Sequence, residues 1–251
     1  MSDLRVVVVG ASTGLGRSIG IGLGQRGAKV ALLARRESLL VGAAKEAGPG
    51  SLAIRCDVTD ESSCRDAIGE AVEGLGGVDA VIVVAGISEL RRVEEIDAAA
   101  WHRMFGTNVV GASLITAAAL PHLKASNGMI AYLSSVSASL TSPWPGLAAY
   151  TVTKAALDKL VEAWRAEHPE VGFTRLIVGE CSGGEGDAMS QFTASWDLDL
   201  AGQMFPEWTA RGLLTEKLMD VEHFISGVHA LVQCGSSMSI PTIAMTPRRP
   251  I

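Results

Sequence analysis

The 251-residue sequence predicts one doubly wound α/β domain with a seven-stranded parallel sheet, and three observations carry that expectation. Short apolar runs recur along the chain between longer stretches of helical character, the rhythm of β-α-β units. The runs are apolar almost throughout rather than alternating, as strands covered by helices on both faces must be. The 28 glycines are spread along the chain, which suits many tight strand-to-helix turns better than a low-complexity tract.

The first strand is predicted over 4–9 (LRVVVV), followed by a glycine-rich turn and a helix over 14–26. Further strands are expected over 29–34, 51–56, 80–84, 129–134, 172–178 and 240–245. Helices are expected over 62–74, 101–124, 147–167 and 220–232. Right-handed crossovers between these strands give a single domain spanning 1–251. The interval 179–215 breaks the rhythm and is too long for an ordinary connection, so a functional loop is expected there.

Hydrophobic residues make up 48% of the chain and charged residues 19%, ample material for a core. A net charge of −6 argues against a nucleic-acid or anionic-membrane surface. The four cysteines lack C-x-x-C spacing and histidine partners, so neither zinc nor a redox motif is indicated. The opening MSDLRVVVVG is too short an apolar run for a signal peptide and reads as a strand. The most apolar long stretch, 104–121, is interrupted by Thr107, Asn108 and Thr116, so no membrane span is expected. A reduced, cytoplasmic protein is the reading these features favour.

Ligands of such sheets bind beyond the carboxyl ends of the strands, near the switch in strand order. The first candidate is GASTGLG, with Gly10, Gly14 and Gly16 after the first strand. Glycine lets the backbone turn and approach a ligand, and the next helix offers unpaired N–H groups, so a diphosphate is the natural guest. A tight packing turn without a ligand is the alternative. The second candidate is AAYTVTKAA, with Tyr150 and Lys154. Positions i and i+4 share a helix face, so the ammonium is expected to lower the pKa of the phenol from its ordinary value of about 10. An exposed surface pair would give the same spacing.

The spacing of the glycine turn, taken with the later motifs, resembles the compact single-domain branch of the short-chain dehydrogenase/reductase superfamily, with its Rossmann-type sheet. The resemblance implies that Gly10, Ser12, Thr13, Gly14, Leu15 and Gly16 hold a dinucleotide. Arg35, in ALLARRESL, stands where NAD-preferring relatives place an acidic residue; a guanidinium there suits the 2′-phosphate of NADP(H). Arg36 either assists or faces solvent. Asp57 and Val58, in CDVTD, match the segment that contacts adenine, although Asp57 would serve equally as a cap or turn residue. Ala85 and Gly86, in VVAG, follow the fourth strand; Val83 and Val84 replace two asparagines of the family and Val9 a threonine, so weaker bracing is expected. After the sixth strand the usual Pro-Gly is missing, and Gly183 with Gly184 supplies the turn next to the nicotinamide.

The same resemblance implies a catalytic set of Asn108 in FGTNVVG, Ser135 in SSVSA, Tyr150 and Lys154. Tyr150 would exchange a proton with the substrate oxygen, helped by the charges of Lys154 and of the oxidised nicotinamide. Lys154 would hold the ribose, the serine would bond the substrate oxygen, and Asn108 would keep a water linking Lys154 to solvent. Matching the strand end selects Ser135, whereas counting back from Tyr150 selects Ser137 as runner-up. Phe192, Trp196, Phe205 and Trp208 fall where the family builds its substrate lid; they suit an apolar pocket, helix packing or a subunit interface. Cys181 reads as a buried thiol rather than a nucleophile. The implied activity is NADP(H)-dependent hydride transfer to or from a carbonyl/secondary-alcohol pair on an apolar or aromatic small molecule, by a homodimer or homotetramer. A non-catalytic NADP-binding regulator, or an epimerase or dehydratase with bound cofactor, are the alternatives.

Overall fold

In the computed structural model the apolar runs form β1 (Arg5–Val9), β2 (Lys29–Ala34), β3 (Leu52–Arg55), β4 (Ala80–Val83), β5 (Met129–Ser135), β6 (Gly172–Val178) and β7 (Thr242–Met245). The described residues are 4–181, 183, 190, 192–215 and 217–248. All strand pairs are parallel, in the order β3-β2-β1-β4-β5-β6-β7, so the chain reverses direction across the sheet between β1 and β4. The central strand explains why the runs do not alternate. Val6 and Val8 pack on one face and Val7 and Val9 on the other, all fully buried.

Helices α1 (Gly14–Gln25), α2 (Glu37–Ala47) and α9 (Val221–Val232) cover the first face, through residues such as Ile19, Leu40 and Phe224. On the second face lie α3 (Glu61–Leu75), α5 (Gly111–Ser126) and α7 (Ala148–Glu167), through Ile68, Ile115 and Val161. The remaining described helices are α4 (Ala98–Phe105), α6 (Val136–Ser139) and α8 (Leu198–Ala210). Aspartates begin several of them: Asp60 accepts from Ser63 N at 2.9 Å and Asp97 from Ala100 N at 2.7 Å.

Three segments differ from the sequence expectation. The chain folds α2 directly after the Arg35–Arg36 pair, burying Leu40, Ala43, Ala44 and Ala47 along one side. The helix expected over 101–124 starts at Ala98 and is broken by a π-helical turn over Gly106–Val110. The expected loop contains α8, begun by Asp197, which accepts from Asp199 N at 2.9 Å and Leu200 N at 3.0 Å.

The continuous helical run Ala98–Ser126 is long and apolar enough, by length and composition, to cross a membrane. In this fold one side of it packs on the sheet and α3 through Ala112, Ile115, Ala119 and Leu123.

Candidate active site

A cavity of about 500 Å³ opens beyond the carboxyl ends of the strands, where the order switches between β1 and β4. Every cofactor-binding and catalytic position expected from sequence lines it except Asn108, which is buried just behind.

The glycine-rich turn is glycine for steric reasons. Gly10 has φ +90°, and a Cβ there would lie 2.5 Å from Ala85 N; a Cβ on Gly16 would lie 2.2 Å from Gly10 O. Gly10 N and Ala11 N both donate to Leu33 O, at 2.7 and 3.1 Å. Thr13 opens α1 without a side-chain cap, so the first amides of that helix are left for a ligand. Its hydroxyl is engaged elsewhere. Arg36 reaches across from β2 and donates to Thr13 Oγ1 at 2.8 Å and to Ser12 Oγ at 2.9 Å. Arg36, exposed on its outer side, thus leans on the glycine-rich turn at the mouth of the cavity. Partial burial and the neighbouring Arg35 charge both push its guanidinium below the usual range.

On the far side, burial raises the Asp57 carboxyl, but hydrogen bonds from Thr59 N and Oγ1, at 3.0 and 2.8 Å, and the Arg35 and Arg55 charges hold it low. Oδ1 is thus committed to a local turn. Val58 packs under Gly111, where a Cβ would approach it to 2.9 Å. The bracing expected to be lost with Val9, Val83 and Val84 is supplied by main chain: Val84 N and Ala85 N each donate to Val9 O at 2.9 Å.

Gly86 abuts two of the residues expected to be catalytic, since a Cβ there would stand 3.4 Å from both Asn108 Oδ1 and Lys154 Nζ. Asn108 sits in the π turn, 1% exposed. Its Oδ1 accepts from Ile87 N at 2.8 Å, and its Nδ2 donates to Ile87 O and Thr153 Oγ1, both at 2.9 Å. The π turn is what aims this amide at the loop after β4.

α7 brings Tyr150 and Lys154 onto one face, with Lys154 Nζ 5.8 Å from the tyrosine ring centroid and donating to Leu133 O at 2.7 Å. Ser135 ends β5 beside them and interacts with the Tyr150 hydroxyl. Ser137 lies one step deeper: its Oγ is 3.0 Å from Ser135 Oγ and accepts from Thr151 Oγ1 at 3.2 Å.

The expected lowering of the Tyr150 pKa is not what this arrangement produces. Burial pushes the phenol up to about 12, against the pull of Ser135, because desolvation penalises the phenolate. Burial likewise pushes Lys154 down to about 8, opposed by the charge of Asp158. The ammonium points to the Leu133 carbonyl and the ring rather than to the hydroxyl, so desolvation dominates at both groups.

Beyond Tyr150 the cavity wall is aromatic. Phe192 contacts Tyr150, Trp196 contacts Phe192 at 5.4 Å between centroids, and Trp208 contacts both Trp196 at 5.8 Å and Trp144 at 5.3 Å. Ser88, 2% exposed, fastens this wall: its Oγ donates to Phe192 O at 2.5 Å and accepts from Trp196 Nε1 at 2.9 Å. Sequence reasoning missed Ser88, whose partners are more than 100 residues away. Gly183 lies against the glycine turn, with room for a Cβ only 3.2 Å from Leu15 N. Gly184 lies outside the described residues. Cys181 pairs with Met219 in an isolated parallel bridge, and burial first, then Asp220, raises its thiol to about 11, which disfavours a nucleophile.

Residues 5–184 match the short chain dehydrogenase family model, and the chain belongs to that family. It is 33% identical over 180 residues to 11-beta-hydroxysteroid dehydrogenase A of Sesamum indicum, covering 69% of this chain and 51% of that protein. The chain thus spans about half the length of that curated relative. Among solved structures it resembles the alcohol dehydrogenase of the archaeon Thermococcus sibiricus complexed with 5-hydroxy-NADP, with TM-score 0.80, 23% identity and 98% of each chain covered. It also resembles the 3-ketoacyl-(acyl-carrier-protein) reductase of Brucella melitensis complexed with NADH, with TM-score 0.78, 21% identity and 96% of each chain covered. At these identities the two structures speak for the fold.

Proposed function

We propose that the chain is an NADP(H)-dependent oxidoreductase that interconverts a carbonyl and a secondary alcohol on a neutral, largely apolar small molecule. The observation that carries this reading is the meeting of Ser135, Tyr150 and Lys154 at the end of β5, in the same cavity as the glycine turn. A nicotinamide dinucleotide fits the residues present: the glycine turn lines the cavity together with Ser135, Tyr150 and Lys154, and Gly14, Leu15 and Gly16, at the start of α1 where no side chain caps the helix, line it too. Gly10 to Gly16 would hold the diphosphate, Asp57 and Val58 the adenine, Ala85, Gly86 and Gly183 the nicotinamide end. Arg35 and Arg36, both at the cavity mouth, favour the 2′-phosphate of NADP(H) over NAD(H).

When bound, the nicotinamide supplies or takes up the hydride. Tyr150 gives its proton to the carbonyl oxygen as that oxygen gains charge, and Ser135 donates a hydrogen bond to the same oxygen. A phenol pushed up to about 12 is protonated at neutral pH, the form that carbonyl reduction needs. Lys154 stabilises the tyrosinate left behind and would hold the ribose of the bound cofactor. Asn108 anchors the loop after β4, and the second lone pair of Oδ1 is available to a water beside Lys154. The residues of this segment that line the cavity, Phe192, Thr193, Trp196, Phe205 and Trp208, carry no charge, which favours an uncharged ring or hydrocarbon substrate.

A cytoplasmic homodimer or homotetramer, with the whole chain as one cofactor-binding domain, is the setting we propose. The test is NADPH consumption across neutral cyclic and aromatic ketones and aldehydes. Cofactor binding without turnover of any of them would favour the regulator, and product formation without net cofactor consumption would favour an epimerase or dehydratase.

A further inference from the structure

Lys154 is the middle member of a row on α7. Tyr150 lies one turn before it and Asp158 one turn after, at the i−4 and i+4 positions that share a helix face. Asp158 is 5% exposed and Lys154 3%. Aspartate is a poor residue for a helix interior, because its short carboxylate competes for backbone groups. A buried carboxylate also persists only against a compensating partner.

Hydrogen bonds do not supply that compensation. Both Asp158 oxygens and the Ser134 hydroxyl are buried without one. Ser134 approaches the carboxyl from β5 without reaching hydrogen-bond geometry, so its pull is weaker than that of a made bond. The charged groups facing Asp158 are Lys154 and Glu162 from α7 and Arg175 from β6. Arg175 is already engaged, with Glu162 at 3.1 Å and Thr242 Oγ1 at 2.9 Å. Lys154 is bonded only to an uncharged carbonyl, that of Leu133, and among the described residues Asp158 is the one charge that acts on it appreciably. The two buried charges are each other's natural partner.

We propose that Asp158 is a positioning residue for proton transfer at Tyr150: its carboxylate is the buried countercharge that keeps Lys154 an ammonium under the tyrosine. This rests on the catalytic reading given above. Asp158 stands two turns from Tyr150, about 12 Å along the helix axis, so it acts on the phenol through the lysine. With the countercharge removed, a lysine already desolvated loses its proton near neutrality, and a neutral amine offers no positive charge to the phenolate that forms as Tyr150 releases its proton.

The test reads the lysine directly. The chain has six lysines, few enough for a titration followed by NMR of ¹³Cε-labelled lysine, with Lys154 assigned by its disappearance in Lys154→Met. The native midpoint is expected near 8. In Asp158→Asn it should fall by about one pH unit or more, and Asp158→Glu should restore most of the difference. An unchanged midpoint in Asp158→Asn overturns the proposal, whatever the enzyme turns over. If ketones are reduced, the pH profile of kcat should move with the lysine midpoint. If no carbonyl is turned over, the oxidoreductase reading falls while the titration still decides the role of Asp158. Should Asp158→Asn fail to fold, folding of the Lys154→Met/Asp158→Asn pair would support the partnership. Failure of both would make Asp158 a fold residue and overturn the proposal.

Discussion

Phe192 meets Tyr150 edge-on across the candidate active site, with ring centroids 4.9 Å apart and planes inclined at 77°. The contact joins the aromatic wall to Tyr150, and it is held from behind by the Ser88 hydrogen bond to the Phe192 carbonyl. A substrate ring packed on Phe192 in the same way would gain about 0.5–1.5 kcal/mol beyond its buried area. Phe192→Ala is therefore expected to raise KM for a bulky apolar ketone about 3- to 10-fold, with a smaller change in kcat. Steady-state kinetics on the two proteins check this, and an unchanged KM would place the substrate away from the aromatic wall.

The two candidate serines differ in what already occupies them. Ser137 Oγ accepts from Thr151 and lies behind Ser135, whereas Ser135 interacts with Tyr150. Losing a hydrogen-bond donor to a developing oxyanion costs about 10²–10³ in kcat. Ser135→Ala should show a loss of that order, and Ser137→Ala a loss of less than about tenfold. The reverse ranking would transfer the role to Ser137.

Cofactor choice should reside in the arginine pair. A hydrogen bond to a charged group contributes about 1.5–3 kcal/mol, so Arg35→Asp should weaken NADPH by at least about tenfold while leaving NADH much less affected. Arg36→Met should act in the same direction, because Arg36 reaches the Ser12 and Thr13 hydroxyls at the phosphate end. Fluorescence titration of both cofactors measures the ratio. Equal losses for the two would remove the reason for choosing NADP(H).

The sequence made the sheet legible because parallel strands buried on both faces must be apolar throughout, as Val6 to Val9 are. It also made legible those site residues that follow a strand directly. What stayed hidden depended on distant partners or on unusual backbone. Nothing local in GTNVVG announces a π turn, and Ser88 acquires its role from residues 192 and 196. Helix α8 stays hidden in the sequence because Gly202 and Pro206, both poor helix residues, interrupt its pattern. The direction of the Tyr150 shift was missed for a physical reason: spacing shows the lysine but not the depth of burial, and burial is the larger influence.

Lys154 also makes stability depend on pH. Burial pushes its ammonium from an ordinary 10.5 down to about 8. Below pH 8 folded and unfolded chains both hold the proton, and the folded chain carries the whole cost of the buried charge. Between about 8 and 10.5 the unfolded chain binds the proton more tightly, so stability rises with pH in that window. Lys154→Met made together with Asp158→Asn removes the cost without stranding the carboxylate, and that pair should be the more stable protein near neutrality, by at most about 3–4 kcal/mol. The gap should close as the pH approaches about 10.5. Urea denaturation at both ends of the window tests this; a gap independent of pH would mean that the lysine is not desolvated.

The central claim is that Tyr150 is the proton donor in an NADP(H)-dependent carbonyl reduction. Its most direct test is single-turnover reduction of the best ketone by Tyr150→Phe beside the native chain, with NADPH affinity measured in parallel. Removal of the hydroxyl should lower the rate by about 10²–10⁴ while cofactor affinity stays within a few-fold. A variant that reduces the ketone at the native rate would make Tyr150 a packing residue for Phe192 and contradict the mechanism.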